Sequence, residues 1–132
     1  MIVVDASAVL DLLLGIPPHD ATIARLVEVA APSVFAPDLL DAEVAQVMRR
    51  RVLGGTLRPA DATAALDVHA QLPITRFPHL PFLDRAFALR ANATVYDALY
   101  LVLAESLGAT LITRDAGLVS VPGSRARVRV LT

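Results

Sequence analysis

Short apolar runs alternate along this chain with longer stretches that have helical spacing. The runs with the length and composition of strands are residues 2–4, 34–36, 72–77, 110–113 and 128–131. Pro73 and Pro78 restrict the third run to an edge of the sheet. The predicted helices span residues 6–14, 19–30, 39–53, 59–71, 81–91 and 96–107. Strands that alternate with helices form parallel sheets covered on both faces, so the chain predicts an α/β fold with a central, mainly parallel sheet.

The composition indicates one domain over residues 1–132 that has more apolar residues than its own core would bury. Hydrophobic residues make up 55% of the 132, yet no apolar run approaches the roughly 18–20 residues that span a bilayer. No cationic leader precedes the first run, so neither a signal peptide nor a membrane partner is expected. The chain has no Cys, which excludes disulfides and thiolate metal sites and fits a cytoplasmic protein. Excess apolar surface predicts a covering partner, either a second copy of the chain or another polypeptide.

All twelve basic residues are Arg, although the net charge is only −1. Two groups stand out in the sequence: Arg49, Arg50 and Arg51, and the alternating Arg125, Arg127 and Arg129. Arginine suits bidentate contact with phosphate, so a nearly neutral chain can still bind RNA through such patches. The first group is equally consistent with a solvated helix face.

Four acids occupy positions that a parallel sheet brings together. Asp5 and Asp115 follow predicted strands, whereas Glu43 and Asp97 lie near the starts of predicted helices. The carboxyl ends of parallel strands form the crevice in which ligands bind, and carboxylates gathered there repel one another unless a cation neutralises them. Oxygen ligands without Cys favour Mg²⁺ or Mn²⁺ over zinc. The pattern predicts a metal site for phosphate chemistry.

Each of these acids also has a purely structural interpretation. Asp5 could cap the following helix, and the same interpretation applies to Asp115 after its strand. The helix dipole favours acids such as Glu43 and Asp97 near a helix start. Asp97 stands out because its helix is apolar around most of its circumference, so its carboxylate is close to desolvation and needs a partner.

Other polar residues near the four acids are expected to have supporting or structural roles. Ser7 could cap the helix or reach a metal-bound water, and a supporting role is expected. Thr113 could orient Asp115 or a water, or simply occupy a strand position. Asp38 is expected to cap a helix, and Asp41 to be a solvated surface acid. The three histidines lack metal-type spacing and are expected at the surface: His19, His69 and His79.

Residues 92–105 and 108–115 resemble the C-terminal half of PIN-domain nucleases, and the match is closest to the VapC-type toxins of bacterial toxin–antitoxin pairs. Residues 2–8 and 36–44 are similar to the first and middle motifs of that family, so the resemblance covers essentially the whole chain. It implies a PIN-like α/β/α sandwich whose motif acids hold Mg²⁺ or Mn²⁺.

The resemblance also assigns residues and partners. The family's acidic positions correspond to Asp5, Glu43, Asp97 and Asp115, and its neighbouring polar positions to Ser7 and Thr113. VapC-type toxins are ribonucleases that stop translation by cutting tRNA or ribosomal RNA. They commonly form homodimers and are neutralised by a small cognate VapB-type antitoxin.

The expected reaction is metal-assisted hydrolysis of a phosphodiester, in which an attacking water leaves a 5′-phosphate and a 3′-hydroxyl. Asp5, Asp97 and Asp115 would be ligands, and Glu43 a ligand or a base that orients the water. A haloacid-dehalogenase-like phosphatase is excluded because position 7 is Ser rather than Asp, and a receiver domain is excluded because the chain has no Lys. The remaining alternative is a catalytically silent PIN-like module that acts only through its partner.

Overall fold

Five parallel strands form the centre of the fold, and helices cover both faces. The computed structural model describes all 132 residues. The strands are β1 (Ile2–Val4), β2 (Val34–Pro37), β3 (Thr75–Phe77), β4 (Thr110–Thr113) and β5 (Arg127–Val130). The helices are α1 (Ala6–Leu13), α2 (His19–Ala30), α3 (Leu39–Leu53), α4 (Pro59–Gln71), α5 (Leu83–Ala88) and α6 (Val95–Leu107). Short 3₁₀ turns cover Leu80–Phe82 and Ala116–Leu118.

The two faces of the sheet have separate apolar cores. Successive side chains of a strand point to opposite faces, and β1 shows this directly. Ile2 and Val4 pack with α1, α2, α3 and α4, whereas Val3 packs with α5 and α6. The expected α/β/α sandwich with a parallel sheet is therefore confirmed. No helix has both the length and the apolar character that crossing a membrane requires.

The strand order β3-β2-β1-β4-β5 reverses direction between β1 and β4. The chain moves outward from β1 through β2 to β3, and it then returns to the other side of β1 to add β4 and β5. Val4 pairs with Ile112, and the amide of Asp5 donates a hydrogen bond to the Ile112 carbonyl. Ligand sites of open α/β sheets lie at such a reversal, beyond the carboxyl ends of the strands. This edge carries Asp5 and Thr113.

Most predicted elements are present with small shifts at their ends. Helices α2, α3 and α4 and strand β4 have the expected bounds, whereas β5 lies one residue earlier and β3 is confined to three residues. The single helix expected over 81–91 is wrong, because the segment divides into a 3₁₀ turn and the short α5. The amides of Leu89 and Arg90 bond three residues back, to Ala86 and Phe87, so the α-helical ladder stops there.

Candidate active site

One cleft of about 180 Å³ at the carboxyl ends of β1 and β4 contains all four predicted site acids. We call it the acid cleft, and the residues that line it are Asp5, Ala6, Ser7, Glu43, Asp97, Tyr100, Asp115 and Leu118. The acids come from two strand ends and two helices, as the position of the sheet reversal predicts. No Arg, Lys or His is among the lining residues, so the negative charge of the cleft has no basic side chain to offset it.

Asp5 is both the cap of α1 and a wall of the cleft. Its side chain is buried, and Oδ1 accepts hydrogen bonds from the Ser7 hydroxyl (2.6 Å) and from the Ala8 amide (3.0 Å). Oδ2 accepts a hydrogen bond from the Thr113 hydroxyl. Burial raises the pKa of Asp5, although these hydrogen bonds oppose the shift. Asp5 therefore caps α1 and also lines the acid cleft.

Ser7 and Thr113 connect the ends of β1 and β4. The Ser7 hydroxyl oxygen accepts a hydrogen bond from the Arg114 amide (2.9 Å), and the Thr113 hydroxyl oxygen accepts one from the Asp115 amide (3.0 Å). Both hydroxyls donate to Asp5. The loop that carries Asp115 is thereby tied to Asp5 by short polar side chains. Thr113 contacts the backbone of Asp115, so the expectation that it orients this acid fits the geometry.

Asp115 is exposed at the mouth of the cleft. Its Oδ1 accepts a hydrogen bond from the Gly117 amide (2.8 Å) and so caps the 3₁₀ turn Ala116–Leu118. Only one short turn fixes this carboxylate, whereas Asp5 is held from both sides. Asp115 is therefore the acid with the greater freedom to reorient toward a ligand.

Glu43 faces the cleft from α3 and is anchored by Tyr100 of α6. The Tyr100 hydroxyl donates a hydrogen bond to Glu43 Oε1 (2.6 Å). Burial raises the pKa of Glu43 against the Tyr100 hydrogen bond, and the charges of Asp5 and Asp97 raise it further. Burial also raises the pKa of Tyr100, and the adjacent Glu43 adds to the shift, so the phenol stays protonated at neutral pH.

Tyr100 is a site residue that sequence reasoning missed. The available signal was its position three residues after Asp97 in an otherwise apolar helix, which places both residues on one helical face. Asp97 itself lies in the first turn of α6, where the Thr94 hydroxyl oxygen accepts a hydrogen bond from the Asp97 amide (3.1 Å). Burial raises the pKa of Asp97, and the charges of Asp115 and Asp5 act in the same direction.

The donor set of the acid cleft fits a hard divalent cation. Its oxygen ligands are carboxylates, three of them have raised pKa values, and like charges nearby contribute to the shift at two of these. A cation would remove both penalties. No three His, Asp or Glu side chains of the structure are placed to share one ion. Coordination by three of these acids therefore requires side-chain rotation.

Asp41 lies outside the acid cleft and is exposed, as expected of a surface acid, but its carboxylate is paired with basic side chains and is not free in solvent. Its carboxylate contacts His69 Nε2 (2.7 Å) and Arg76 Nη2 (2.9 Å), and we call these three residues the Asp41 cluster. His69 is only 5% exposed, so its expected surface position is wrong. Burial acts to raise the pKa of Asp41, but the hydrogen bonds and charges of Arg76 and His69 outweigh it and lower the pKa.

The start of α3 is capped by a histidine instead of an acid. Asp38 holds the predicted capping position, but its side chain makes no capping hydrogen bond. The Leu39 amide donates instead to Nε2 of His79 (2.9 Å), from a segment 40 residues away in sequence. His79 is therefore packed against the helix end and is not a free surface residue.

Asp11 is a buried acid that sequence reasoning also missed. It is 2% exposed, and its Oδ1 accepts a hydrogen bond from Arg114 Nη1 (3.1 Å). Nδ1 of His19 lies 3.1 Å from Oδ2, close enough for an ion pair when the histidine is protonated, but outside hydrogen-bond geometry. His19 is therefore largely buried rather than a surface residue. The Asp11–Arg114 pair fixes the residue next to Asp115 against α1.

Comparison with known proteins gives the same family at the level of sequence and of fold. The family model for the PIN domain matches residues 2–123. The chain is 38% identical over 130 residues to ribonuclease VapC1 of Mycobacterium tuberculosis, which covers 98% of this chain and 96% of the relative. It is 37% identical over 131 residues to ribonuclease VapC9 of the same organism, covering 99% of this chain and 98% of the relative.

Two solved structures share the fold at low sequence identity. VapC20 of Mycobacterium tuberculosis, described as a toxin that cleaves the sarcin-ricin loop, aligns with a TM-score of 0.71 at 16% identity over 96% of this chain and 99% of that one. VapBC2 from Rickettsia felis, bound to a DNA fragment of its promoter, aligns with a TM-score of 0.72 at 13% identity over 98% of each chain. The sequence matches carry the assignment: this chain belongs to the PIN-domain family and, within it, to the VapC ribonucleases.

Proposed function

We propose that this chain is the toxin of a VapBC-type toxin–antitoxin pair, an endoribonuclease that hydrolyses phosphodiester bonds in tRNA or ribosomal RNA with Mg²⁺ or Mn²⁺ and so stops translation. The observation that carries the proposal is the acid cleft, where four carboxylates from four separate elements meet with no basic side chain among them. The names of the VapC relatives support the activity. The description of VapC20 as a toxin that cleaves the sarcin-ricin loop supports structured RNA as the substrate.

The residues of the cleft divide into ligands and supports. Asp5, Asp97 and Asp115 would hold the cation, which when bound polarises the scissile phosphate and activates the attacking water. Glu43 would complete the ligand set or orient that water, and the Tyr100 hydrogen bond would restrict its carboxylate to one position. The Ser7 and Thr113 hydroxyls would hold Asp5 in place through their hydrogen bonds.

The exposed apolar surface supports the proposal that the chain has protein partners. Large apolar side chains are exposed on the adjacent segments of the first 3₁₀ turn, α5 and the start of α6: Leu80, Leu83, Phe87, Val95 and Tyr96. Such a concentration favours a covered interface, and we assign the partners as a second copy of the chain and a cognate VapB-type antitoxin. The protein would act in the cytoplasm, where its RNA substrates are.

The test is cleavage of tRNA and ribosomal RNA fragments by the purified, antitoxin-free chain with Mg²⁺, Mn²⁺ or EDTA, with Asp97→Asn in parallel. We expect metal-dependent cuts that leave 5′-phosphates and are lost in EDTA and in the variant. In cells, Asp97→Asn should abolish toxicity and retain antitoxin binding.

Three outcomes contradict the proposal. No cleavage of any of these RNAs by the folded chain would favour the silent binding module. A 2′,3′-cyclic phosphate product would show attack by the RNA's own hydroxyl instead of water. Full toxicity of a folded Asp97→Asn protein would remove the acid cleft from the reaction.

A further inference from the structure

A second and larger depression opens beside the acid cleft, between α1 and α3. It has a volume of about 360 Å³, within the range of ligand-binding pockets, and we call it the α1–α3 groove. Ala6, Ser7 and Glu43 line both the groove and the cleft. The two depressions are therefore adjacent, and a chain whose phosphate reaches the acids has the groove directly beside it.

The walls of the groove combine apolar surface with two unused polar side chains. Leu10 from α1 and Val47 from α3 supply apolar contact area, while Gln46 and Arg50 supply an amide and a guanidinium. Both polar residues are exposed, and Arg50 takes part in none of the side-chain ion pairs of the molecule. Arg50 is the single basic residue that lines either depression.

The spacing along α3 arranges these groups in a row that starts at the acids. Gln46 and Arg50 follow Glu43 by three and seven residues, so all three share one face of the helix. Arg50 lies two turns beyond Glu43, about 10–11 Å along the helix axis. Along α3 the row presents first a carboxylate, then an amide and then a guanidinium. In the same order, an RNA chain would present the cut phosphodiester, the edge of a base and the next phosphate.

We propose, on the basis of the ribonuclease function above, that the α1–α3 groove binds the RNA nucleotide next to the cut. Its base packs between Leu10 and Val47, the Gln46 amide bonds the edge of that base, and Arg50 binds the adjoining phosphate. Single-stranded RNA offers unstacked bases for such a pocket, and an amide can both donate to and accept from a base edge. The charge of Arg50 and the residues that the groove shares with the acid cleft favour RNA as the occupant.

The neighbouring arginines provide a matched control. Successive residues of a helix are rotated by about 100°, so Arg49 faces away from the row that contains Arg50. Arg49 lines a different groove, between α3 and α4, together with Met48 and Leu66. The predicted Arg49–Arg51 cluster is therefore divided by the structure. Arg49→Ala removes the same charge as Arg50→Ala, from the same helix, outside the groove.

The experiment compares Arg50→Ala with Arg49→Ala in steady-state cleavage of one tRNA or ribosomal RNA fragment that the wild type cuts. Arg50→Ala should raise KM about tenfold and leave kcat within about twofold, as expected when binding is lost equally from substrate and transition state. Arg49→Ala should match the wild type. Equal KM values for the two variants would overturn the proposal, whereas absence of cleavage by the wild type itself would instead overturn the ribonuclease function.

RNA binding in an Asp97→Asn background tests the phosphate contact without cleavage. Adding Arg50→Ala should reduce the slope of log K against log salt by about 0.7, the value for one phosphate of a single strand, and adding Arg49→Ala should not. Gln46→Ala should relax the base preference next to the cut, read by sequencing the product ends. The proposal would be contradicted if these variants left the salt slope and the base preference unchanged. It would also be contradicted if they weakened antitoxin binding and left RNA cleavage unchanged, because the groove would then bind the antitoxin and not RNA.

Discussion

Asp41 and Glu43 lie two residues apart near the start of α3, yet their carboxyl groups occupy opposite environments. Asp41 is paired with Arg76 and His69, and its pKa is lowered. Glu43 faces other acids across the cleft, accepts one hydrogen bond from Tyr100, and has a raised pKa. The same type of side chain on the same helix is neutralised by protein groups in one region and left without a cationic partner in the other.

This difference separates acids that are paired within the protein from the acids of the proposed site. A buried or half-buried carboxylate with basic partners contributes to packing and has no need of an added ion. Several carboxylates that share a cleft without a basic residue cost stability, and such groups cluster where a ligand compensates them. The Asp41 cluster and the acid cleft should therefore respond in opposite ways to substitution, to pH and to divalent cations.

The largest expected effect is on activity. Glu43→Gln should reduce RNA cleavage by roughly 10²–10⁴-fold, because it removes a charge that in the proposed mechanism would either hold the cation or orient the water. Asp41→Asn, two residues away, should stay within about threefold of the wild type. Single-turnover cleavage with saturating Mg²⁺ measures both. Equal losses in the two variants would break the distinction between the two regions.

Substitution in the Asp41 cluster should affect stability more than substitution in the acid cleft, the reverse of the order expected for activity. Asp41→Ala should lower the free energy of unfolding by about 1–2 kcal/mol, because it leaves buried His69 and largely buried Arg76 without their partner. Asp97→Asn should raise the stability of the protein in EDTA, since it removes one of several like charges. Urea unfolding followed by circular dichroism measures both changes. A loss of stability in Asp97→Asn would show that its charge is compensated after all.

Tyr100→Phe tests how much the anchor of Glu43 matters. The substitution removes one hydrogen bond to a site carboxylate and keeps the aromatic packing, so cleavage should fall about tenfold. The apparent affinity for Mg²⁺, taken from the metal dependence of the rate, should fall with it. A purely structural role would instead lower the melting temperature and leave the metal dependence unchanged.

The pH dependence of stability in EDTA should divide between the same two regions. The pKa values of Asp5, Glu43 and Asp97 are raised in the folded protein. Their contribution to the stability of the fold is therefore complete below the ordinary carboxyl pKa near 4, and it is lost as the pH rises through the raised pKa values. The lowered pKa of Asp41 gives a contribution that is present above pH 4 and is lost as pH falls. Asp97→Asn should reduce the loss of stability that occurs as the pH rises. Asp41→Asn should reduce the loss of stability that occurs as the pH falls. Unfolding curves at a series of pH values check both signs.

Much of the fold could be predicted because the residues that start and end its helices are recognisable in the local sequence. Gly54-Gly55 and Pro59 set the end of α3 and the start of α4, and Gly108 ends α6 with a positive φ of 63°. The helix over 81–91 failed because no residue within it marks the point at which the amides begin to bond three residues back.

The distinction between Asp41 and Glu43 could not come from local sequence. Both acids flank the same apolar stripe, and their surroundings depend on partners far along the chain. Arg76 lies 35 residues from Asp41, and Tyr100 lies 57 residues from Glu43. The histidines were misplaced for the same reason, since their contacts also cross between elements. The strand-end positions of Asp5 and Asp115, the helix-start positions of Glu43 and Asp97 and the family resemblance together predict the four site acids, and their catalytic role stays a prediction.

The most direct test of the account is Mn²⁺ binding, measured by isothermal titration calorimetry on the wild type, Asp97→Asn and Asp41→Asn without RNA. We expect the wild type and Asp41→Asn to bind with the same Kd, and Asp97→Asn to bind at least tenfold more weakly, about 1.4 kcal/mol. Absence of binding to the wild type, or equal weakening in the two variants, would contradict the claim that the uncompensated acids form the metal site.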